Sequence, residues 1–186
     1  MIGIIPRLWM SSVAQYHPAA STEAILAKSG FQPQYGFALD EVCNDEACLR
    51  LLHATTEVTG APQSQLVEEF AQHFIADAAH RWPTWFAMSP TAKDFLQRQP
   101  RIHDSFRRSL NPEQARTNWH SKFVIEPTPN GLKVFYQSDN RLCDLYIALA
   151  KALIAHYQEQ GVTFEHPTCM HQGHDHCDIH ISWPSV

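Results

Sequence analysis

The stretch FVIEPTPNGLKVFY, residues 123–136, decides the fold class. Two short runs rich in β-branched and aromatic residues flank Asn130-Gly131, and this dipeptide between such runs is the strongest local signal of a β-hairpin. The hairpin also marks a change along the chain, because the sequence before it carries helix signals throughout. We therefore expect a sheet that begins late, after a helical first half.

The residues before the hairpin predict a series of helices. Residues 21–30 have a capping serine, a helical run and a terminal glycine, and a second such unit covers about 45–60. Residues 91–99 and 101–110 are predicted as separate helices, because Pro100 between them removes a helical hydrogen bond. Almost all of the first 110 residues should therefore be helical.

The residues after the hairpin complete the predicted fold. A helix that ends at Gly161 is followed by two strand candidates, residues 162–164 and 178–183. The apolar face of that helix consists of Leu142, Tyr146, Leu149 and Leu153. The predicted class is α+β, with a helical N-terminal subdomain (1–110) packed on a C-terminal α/β subdomain (111–186). The sheet should be mostly antiparallel, and the whole chain should form one domain.

Composition excludes several functional classes. The 186 residues include 14 Lys+Arg and 19 Asp+Glu, so the net charge of −5 argues against electrostatic binding of nucleic acid. No apolar run approaches the roughly 20 residues that a membrane span needs, and we expect a cytoplasmic protein. The five cysteines, an odd number, indicate free thiols or metal ligands in a reducing compartment rather than a disulfide framework.

A second stretch, HPTCMHQGHDHC at residues 166–177, combines two cysteines with four histidines. A closed structural zinc site needs four ligands in a tetrahedron, usually thiolates with an imidazole. The predicted ligands are Cys143, His166, Cys169 and Cys177, of which Cys143 would come from the first turn of the preceding helix. His171, His174 or His176 could replace His166, and the same stretch is also compatible with buried thiols and solvated histidines.

Four segments together resemble the heme-nitric oxide/oxygen binding (H-NOX) family, over nearly the full length of the chain. The opening MIGIIPRLW (1–9) is similar to the N-terminal strand of the family, and PTWFA (83–87), followed by Phe95-Leu96 and Ile102-His103, is similar to the segment that leads to the heme-ligating histidine. Tyr136-Gln-Ser138 is similar to the start of the family's Tyr-x-Ser-x-Arg clamp for the heme propionates. The Cys/His stretch is similar to the zinc site of one bacterial branch.

The resemblance implies a heme b cofactor and its binding residues. His103 would be the axial ligand, and Tyr136 and Ser138 would donate hydrogen bonds to the propionates. The arginine position of the clamp holds Asn140, so Arg141, one residue later, would supply the charge.

The axial position depends on how the segments are counted. Counting from Phe95-Leu96 gives His103, whereas counting back from Tyr136 without gaps gives Arg107. Arginine cannot ligate iron, and His103 lies on one helical stripe with Phe106 and Leu110. We therefore prefer His103, with a few residues inserted within 111–121.

The resemblance also implies a function. Oxygen-binding members place a tyrosine where this chain has Leu145, so nitric oxide is the expected ligand, because bound oxygen needs a hydrogen-bond donor more than nitric oxide does. No nucleophile, base and orienting acid occur at recognisable spacing, so we expect a sensor and not an enzyme. It would signal in trans to a histidine kinase or a diguanylate cyclase or phosphodiesterase, since the chain carries no output domain.

Two other hypotheses fit the same sequence. One is a heme-free regulatory module of the same fold, in which oxidation of the zinc-site thiols ejects the metal. The other is a small-molecule-binding domain of the related vinyl-reductase type, which also carries a late pair of cysteines beside a strand. An absorption spectrum separates heme binding from both.

Overall fold

The computed structural model describes residues 1–109 and 122–184, with the backbone alone for 106–109. The chain forms two compact units, Met1–Asp77 and Ala78–Val186. The boundary falls inside a helix, well before the change of sequence pattern near residue 110. Each unit is described separately below.

The described residues form seven α-helices, four strands and one short 3-10 helix. The helices are α1 (Ile4–Tyr16), α2 (Thr22–Lys28), α3 (Asp45–Thr59), α4 (Gln63–Arg81), α5 (Pro83–Ala87), α6 (Ala92–Ser109) and α7 (Cys143–His156). The strands are β1 (Phe123–Thr128), β2 (Gly131–Tyr136), β3 (Thr163–Thr168) and β4 (Cys177–Ser182), and Met170–Gln172 is the 3-10 helix. None of these helices combines the length and apolar character needed to cross a membrane.

The first unit is helical, and α2 and α3 begin and end near the predicted signals. The side chain of Asn44 caps α3 by accepting a hydrogen bond from the backbone N–H of Ala47 at 3.0 Å, and Gly60 ends the helix in the left-handed conformation. Inside the unit, Trp9 donates a hydrogen bond to Thr55 at 2.9 Å, which ties α1 to α3.

The predicted N-terminal strand is wrong. Residues before α1 form only an isolated β-bridge, between Ile2 and Val42, and α1 already begins at Ile4. Pro6 does not prevent this, because it lies in the first helical turn, where the backbone N–H has no helical partner to lose. Gly3 is required there, since a Cβ atom would lie 2.0 Å from the carbonyl oxygen of Ala38.

The predicted break at Pro100 is also wrong. The structure has one helix, α6, through the whole segment, with Pro100 inside it. A proline in a helix interior costs about 3 kcal/mol, so burial elsewhere along α6 must offset this cost. Leu96, one turn earlier, is almost fully buried.

The second unit is built on a four-stranded antiparallel sheet in the order β1-β2-β4-β3. The predicted hairpin forms, with Thr128 opposite Gly131, but its two turn residues are Pro129 and Asn130 rather than Asn130 and Gly131. Alternate residues of the two central strands face the core, and they are Leu132, Val134, Tyr136, Cys177, Ile179 and Ile181. The fold is therefore α+β with an antiparallel sheet, as the sequence predicts.

The edge strand β1 contains a proline. The backbone carbonyl of Lys122 accepts a hydrogen bond from the backbone N–H of Gln137. From there along the hairpin, residue pairs that are hydrogen-bonded alternate with pairs that are not. Pro127 consequently occupies a position whose backbone nitrogen points away from β2. Its missing N–H removes no hydrogen bond from the sheet.

Candidate functional site

The four predicted metal ligands lie together in the second unit. Cys143 is the first residue of α7, His166 lies in β3, Cys169 follows β3 and Cys177 is the first residue of β4. Their potential ligand atoms all lie within 4.8 Å of one another. The cluster thus joins one helix to two neighbouring strands.

The spacing of the sulfur atoms suits a tetrahedral metal. The Sγ atoms of Cys143 and Cys169 are 3.9 Å apart. A tetrahedral zinc ion with Zn–S bonds of about 2.3 Å would hold two sulfur atoms about 3.8 Å apart. The Sγ of Cys177 also accepts a hydrogen bond from the backbone N–H of Met170 at 3.3 Å, a contact typical of a thiolate ligand.

Burial makes the cluster unfavourable for free thiolates. Burial raises the pKa of Cys143, and the nearby Cys177 raises it further. Burial also raises the pKa of Cys177. A divalent cation reverses this preference, because its charge stabilises coordinated thiolates. We therefore expect protonated thiols without metal and thiolates with it.

His166 is the histidine that belongs to the cluster. Its Nε2 atom is buried and has no hydrogen-bond partner in the part of the chain that the structure describes, and burial lowers the pKa of the ring. A neutral imidazole with an unused nitrogen is a suitable zinc ligand. The alternatives lie elsewhere: His171 is hydrogen-bonded to the carbonyl of Arg141 at 2.8 Å, and His176 stacks on Phe135 at 4.4 Å.

The predicted axial ligand, His103, lies in α6 beside the edge strand β1. Desolvation, assisted by the charge of Lys122, lowers the pKa of its imidazole to about 4, although part of the residue is exposed. The ring makes an edge contact with Phe123, at 4.8 Å between centroids. His103 is therefore neutral near pH 7, as an axial ligand must be.

The competing axial position cannot be compared in the same way. Arg107 lies in the last turns of α6, but its side chain falls outside the described residues, as does that of Phe106. Leu110 and the predicted insertion within 111–121 also fall outside them. The preference for His103 over Arg107 stays a prediction.

Two hydroxyl groups of the predicted clamp lie side by side. Tyr136 ends β2 and is buried, which raises the pKa of its phenol, while hydrogen bonds to Ser138 and to the backbone of Leu142 act in the opposite direction. The Ser138 hydroxyl also accepts a long hydrogen bond, 3.4 Å, from the backbone N–H of Asn140. The structure thus brings Tyr136 and Ser138 together as expected.

Arg141 does not extend this pair. Its side chain is exposed, and its backbone takes the left-handed conformation with φ of 49°, which is uncommon for a residue other than glycine. Asn140 is half-buried and continues the alternation of Tyr136 and Ser138. The half-buried position that follows Tyr136 and Ser138 in this alternation, Asn140, therefore carries an uncharged amide.

The buried aromatic side chain of α7 is Tyr146, which is next to the predicted site residue Leu145. Its ring lies 5.7 Å from that of Phe123 and 6.0 Å from that of Tyr136, and burial raises the pKa of its phenol. The hydroxyl is buried without a hydrogen-bond partner among the described residues. Leu145 is only half-buried. The apolar stripe through Leu142 already indicated that Tyr146 faces the core, but sequence reasoning did not assign it a site role.

The model of the family described as Haem-NO-binding matches residues 2–166. The chain belongs to this family. A comparison with curated protein sequences finds no match.

Solved structures of H-NOX proteins share the fold of this Haem-NO-binding chain. An H-NOX protein from S. oneidensis in the Fe(II)NO ligation state has a TM-score of 0.84 and 19% identity, with 100% of both chains covered. An oxygen-binding H-NOX domain related to soluble guanylate cyclases, in its oxygen complex, has a TM-score of 0.82 and 16% identity, with 100% of this chain and 96% of that chain covered. The I5F mutant of T. tengcongensis H-NOX has a TM-score of 0.81 and 15% identity, with 100% and 98% covered.

The residues of the second unit fit the heme that this family binds in most respects. His103 is neutral, two adjacent hydroxyl groups can donate hydrogen bonds to carboxylates, and the hydroxyl of Tyr146 has no hydrogen-bond partner among the described residues. Arg141 does not fit in this way. Because its side chain is exposed, a heme propionate would lose part of the charge compensation that a clamp arginine provides.

Proposed function

We propose that this protein is a cytoplasmic heme-based sensor of nitric oxide that signals in trans and has no catalytic activity of its own. The observation that carries the proposal is a partly desolvated, neutral His103 in a Haem-NO-binding chain. Bound heme would supply an iron atom that takes up a diatomic gas reversibly. The five cysteines are free, which agrees with a reducing compartment.

His103 would hold the iron, and Tyr136 with Ser138 would hold a propionate. A neutral imidazole offers the lone pair that coordination needs, and the pKa of about 4 means that physiological pH does not compete for it. The two hydroxyls, already in contact, can turn toward a carboxylate without moving the strand end. Asn140 adds an amide but no charge, so we expect weaker propionate binding than a clamp arginine would give.

Leu145 and Tyr146 would decide which gas binds. Leu145 has no hydrogen-bond donor, which favours nitric oxide over oxygen. The unpaired hydroxyl of Tyr146 is the donor that could change this preference, because a buried hydroxyl gains about 1–3 kcal/mol when it finds a partner.

An absorption spectrum tests the proposal. Protein produced with heme supplied should show a Soret band that His103→Ala abolishes or strongly alters, and external imidazole should restore it because it replaces the missing ligand. Arg107→Ala is the matched control on the same helix and should leave the band almost unchanged. A heme-supplemented protein without a Soret band would exclude heme binding.

Signalling in trans needs a separate measurement. Unliganded and nitric-oxide-treated protein should change the activity of a partner histidine kinase, diguanylate cyclase or phosphodiesterase to different extents. His103→Ala should remove that difference. An equal effect of both forms would show that gas binding is not what the partner detects.

We also propose that Cys143, His166, Cys169 and Cys177 bind one zinc ion, as in the bacterial branch that the sequence resembles. If heme binding fails, a heme-free zinc/thiol regulatory module becomes the better proposal, since three buried thiols in contact with a neutral imidazole support it independently. Zinc analysis of heme-free protein distinguishes the two.

A further inference from the structure

Two cysteines outside the metal cluster meet at the beginning of α3. Asn44 caps this helix, so Cys43 occupies the position before the cap and Cys48 the fourth helical position. Side chains at these two positions regularly pack against each other and fix the entry of the chain into a helix. Here both members of that contact are thiols, 9% and 1% exposed.

The two thiols interact directly and differ in acidity. Contact with Cys43 lowers the pKa of Cys48, and the same contact, together with burial, raises the pKa of Cys43. The Cys43 thiol donates a hydrogen bond to the carboxylate of Glu41, 3.6 Å from its Sγ, and this carboxylate opposes a negative charge on Cys43. Position at the first turns of a helix also favours a thiolate at Cys48. Ionisation of the pair is therefore more favourable at Cys48 than at Cys43.

We propose that Cys43 and Cys48 form a reversible intramolecular disulfide when the protein meets a small hydroperoxide. The contact at the start of α3 supplies an attacking thiolate and a neighbouring thiol. Because these residues belong to the first compact unit, the site is separate from the zinc cluster of the second. Among the described residues, three or more potential metal ligands come together only in the cluster of Cys143, His166, Cys169 and Cys177. The pair of Cys43 and Cys48 therefore lacks a third ligand for a metal of its own.

The chemistry proceeds in two balanced steps. The Cys48 thiolate attacks hydrogen peroxide, the O–O bond breaks, and Cys48 sulfenic acid and hydroxide form. The sulfur of Cys43 then attacks the sulfur of Cys48, the S–O bond breaks, and a disulfide and water form, with the thiol proton leaving in the water. Each sulfur is oxidised, and the peroxide supplies the two oxygen atoms that are reduced. A dithiol reductant reverses the reaction.

The disulfide would act on the backbone that holds the start of α1. The N–H of Cys43 donates to the carbonyl of Met1 at 2.8 Å, and the N–H of Gly3 donates to the carbonyl of Glu41 at 2.8 Å. A covalent bond between Cys43 and Cys48 fixes this segment to α3. Oxidation should therefore rigidify the segment from Glu41 to Asn44 and the residues bonded to it.

Peptide mass spectrometry tests the proposal on the full-length protein with its metal bound. Cleavage after Lys28 and Arg50 leaves both cysteines in one peptide, 29–50, because no lysine or arginine lies between these two residues. After treatment with hydrogen peroxide, this peptide should be lighter by two hydrogen atoms and should lose both alkylatable thiols. Dithiothreitol should restore them.

Two single variants assign the roles. In Cys43→Ser, a dimedone probe should label Cys48, because its sulfenic acid has no resolving thiol. In Cys48→Ser, Cys43 should stay a free thiol at the same peroxide dose. Circular dichroism confirms that each variant is folded, and the corresponding alanine variants repeat the test if either serine variant is not.

Three results would overturn the proposal. Peptide 29–50 could keep both thiols at doses that oxidise Cys169 and Cys177, the dimedone label could appear on Cys43 instead, or Cys48 of the unmutated protein could proceed to sulfinic acid without a disulfide. None of these results depends on heme, so failure here leaves the sensor proposal unaffected.

Discussion

If the cluster binds zinc as proposed, removal of the ion should destabilise this protein by an amount that the linkage between binding and folding sets. The four ligands come from α7, β3 and the start of β4, so the site cannot persist when the sheet unfolds. A ligand that binds only the folded state at a thousand times its Kd stabilises it by about 4 kcal/mol. In a chain of this length, 1 kcal/mol shifts Tm by about 2–4 °C. A strong chelator should therefore lower Tm by about 8–16 °C.

Two variants make this experiment specific. Cys177→Ser removes a ligand that is 0% exposed, and Cys48→Ser removes a thiol that is 1% exposed and lies outside the cluster. Both change a buried sulfur to oxygen, so their packing costs should be similar. Metal analysis in reducing buffer should give about one zinc ion per chain for Cys48→Ser and almost none for Cys177→Ser. Chelator should lower Tm only in the former.

The reasoning would be refuted by zinc that persists in Cys143→Ser, Cys169→Ser and Cys177→Ser alike. Such a result would move the metal to the exposed histidines, where it would not bridge helix and sheet. Equal sensitivity of Cys48→Ser and Cys177→Ser to chelator would also contradict it, because the second variant should have no structural zinc left to lose.

Three further predictions concern other parts of the second unit. The pKa of His103 falls from 6.5 to about 4 on folding, so the unfolded chain binds the proton first and the free energy of unfolding should decrease as pH falls from 6.5 to 4. His103→Phe should flatten this slope in urea titrations of heme-free protein, whereas an unchanged slope would contradict the lowered pKa. Gly131→Ala should lower the free energy of unfolding by about 3 kcal/mol or more in thermal unfolding, because its Cβ would lie 1.9 Å from the carbonyl oxygen of Ile181. Gly36→Ala, whose Cβ would meet open space, should be nearly neutral, and equal effects of the two variants would be evidence against the close approach. With heme supplied, the ferrous protein should bind nitric oxide stably and should not hold oxygen in air, as absorption spectra can show; a long-lived oxygen spectrum that Tyr146→Phe abolishes would identify Tyr146 as the donor.

Local signals predicted the parts of the fold whose physics is local. Asn130-Gly131 located the hairpin, although the turn itself consists of Pro129 and Asn130, neither of which has positive φ. Gly60, which has positive φ, ended α3 as predicted. Pro100 was misjudged because the cost of a proline inside a helix can be offset by burial that neighbouring elements provide. This burial cannot be read from the few residues around it.

The candidate sites divide in the same way. Cys169 and Cys177 stand out in the sequence because of the short loop between them, and Cys143 could be added because one helix leads directly to that loop. The contact between Tyr146 and Phe123, by contrast, joins α7 to β1 across the core. Its unpaired hydroxyl reflects what surrounds the ring, which depends on the packing of several elements. The pKa of His103 depends on the same packing.

The proline in β1 has a consequence for the behaviour of the protein in concentrated solution. A sheet edge attracts strands of other molecules because it offers a row of hydrogen-bonding groups. At Pro127 the outward nitrogen carries no hydrogen, so an incoming strand would lose one bond in a strand of only six residues. The same residue that leaves the hairpin intact thus discourages association between molecules, and the protein gains protection from aggregation without any loss of internal pairing.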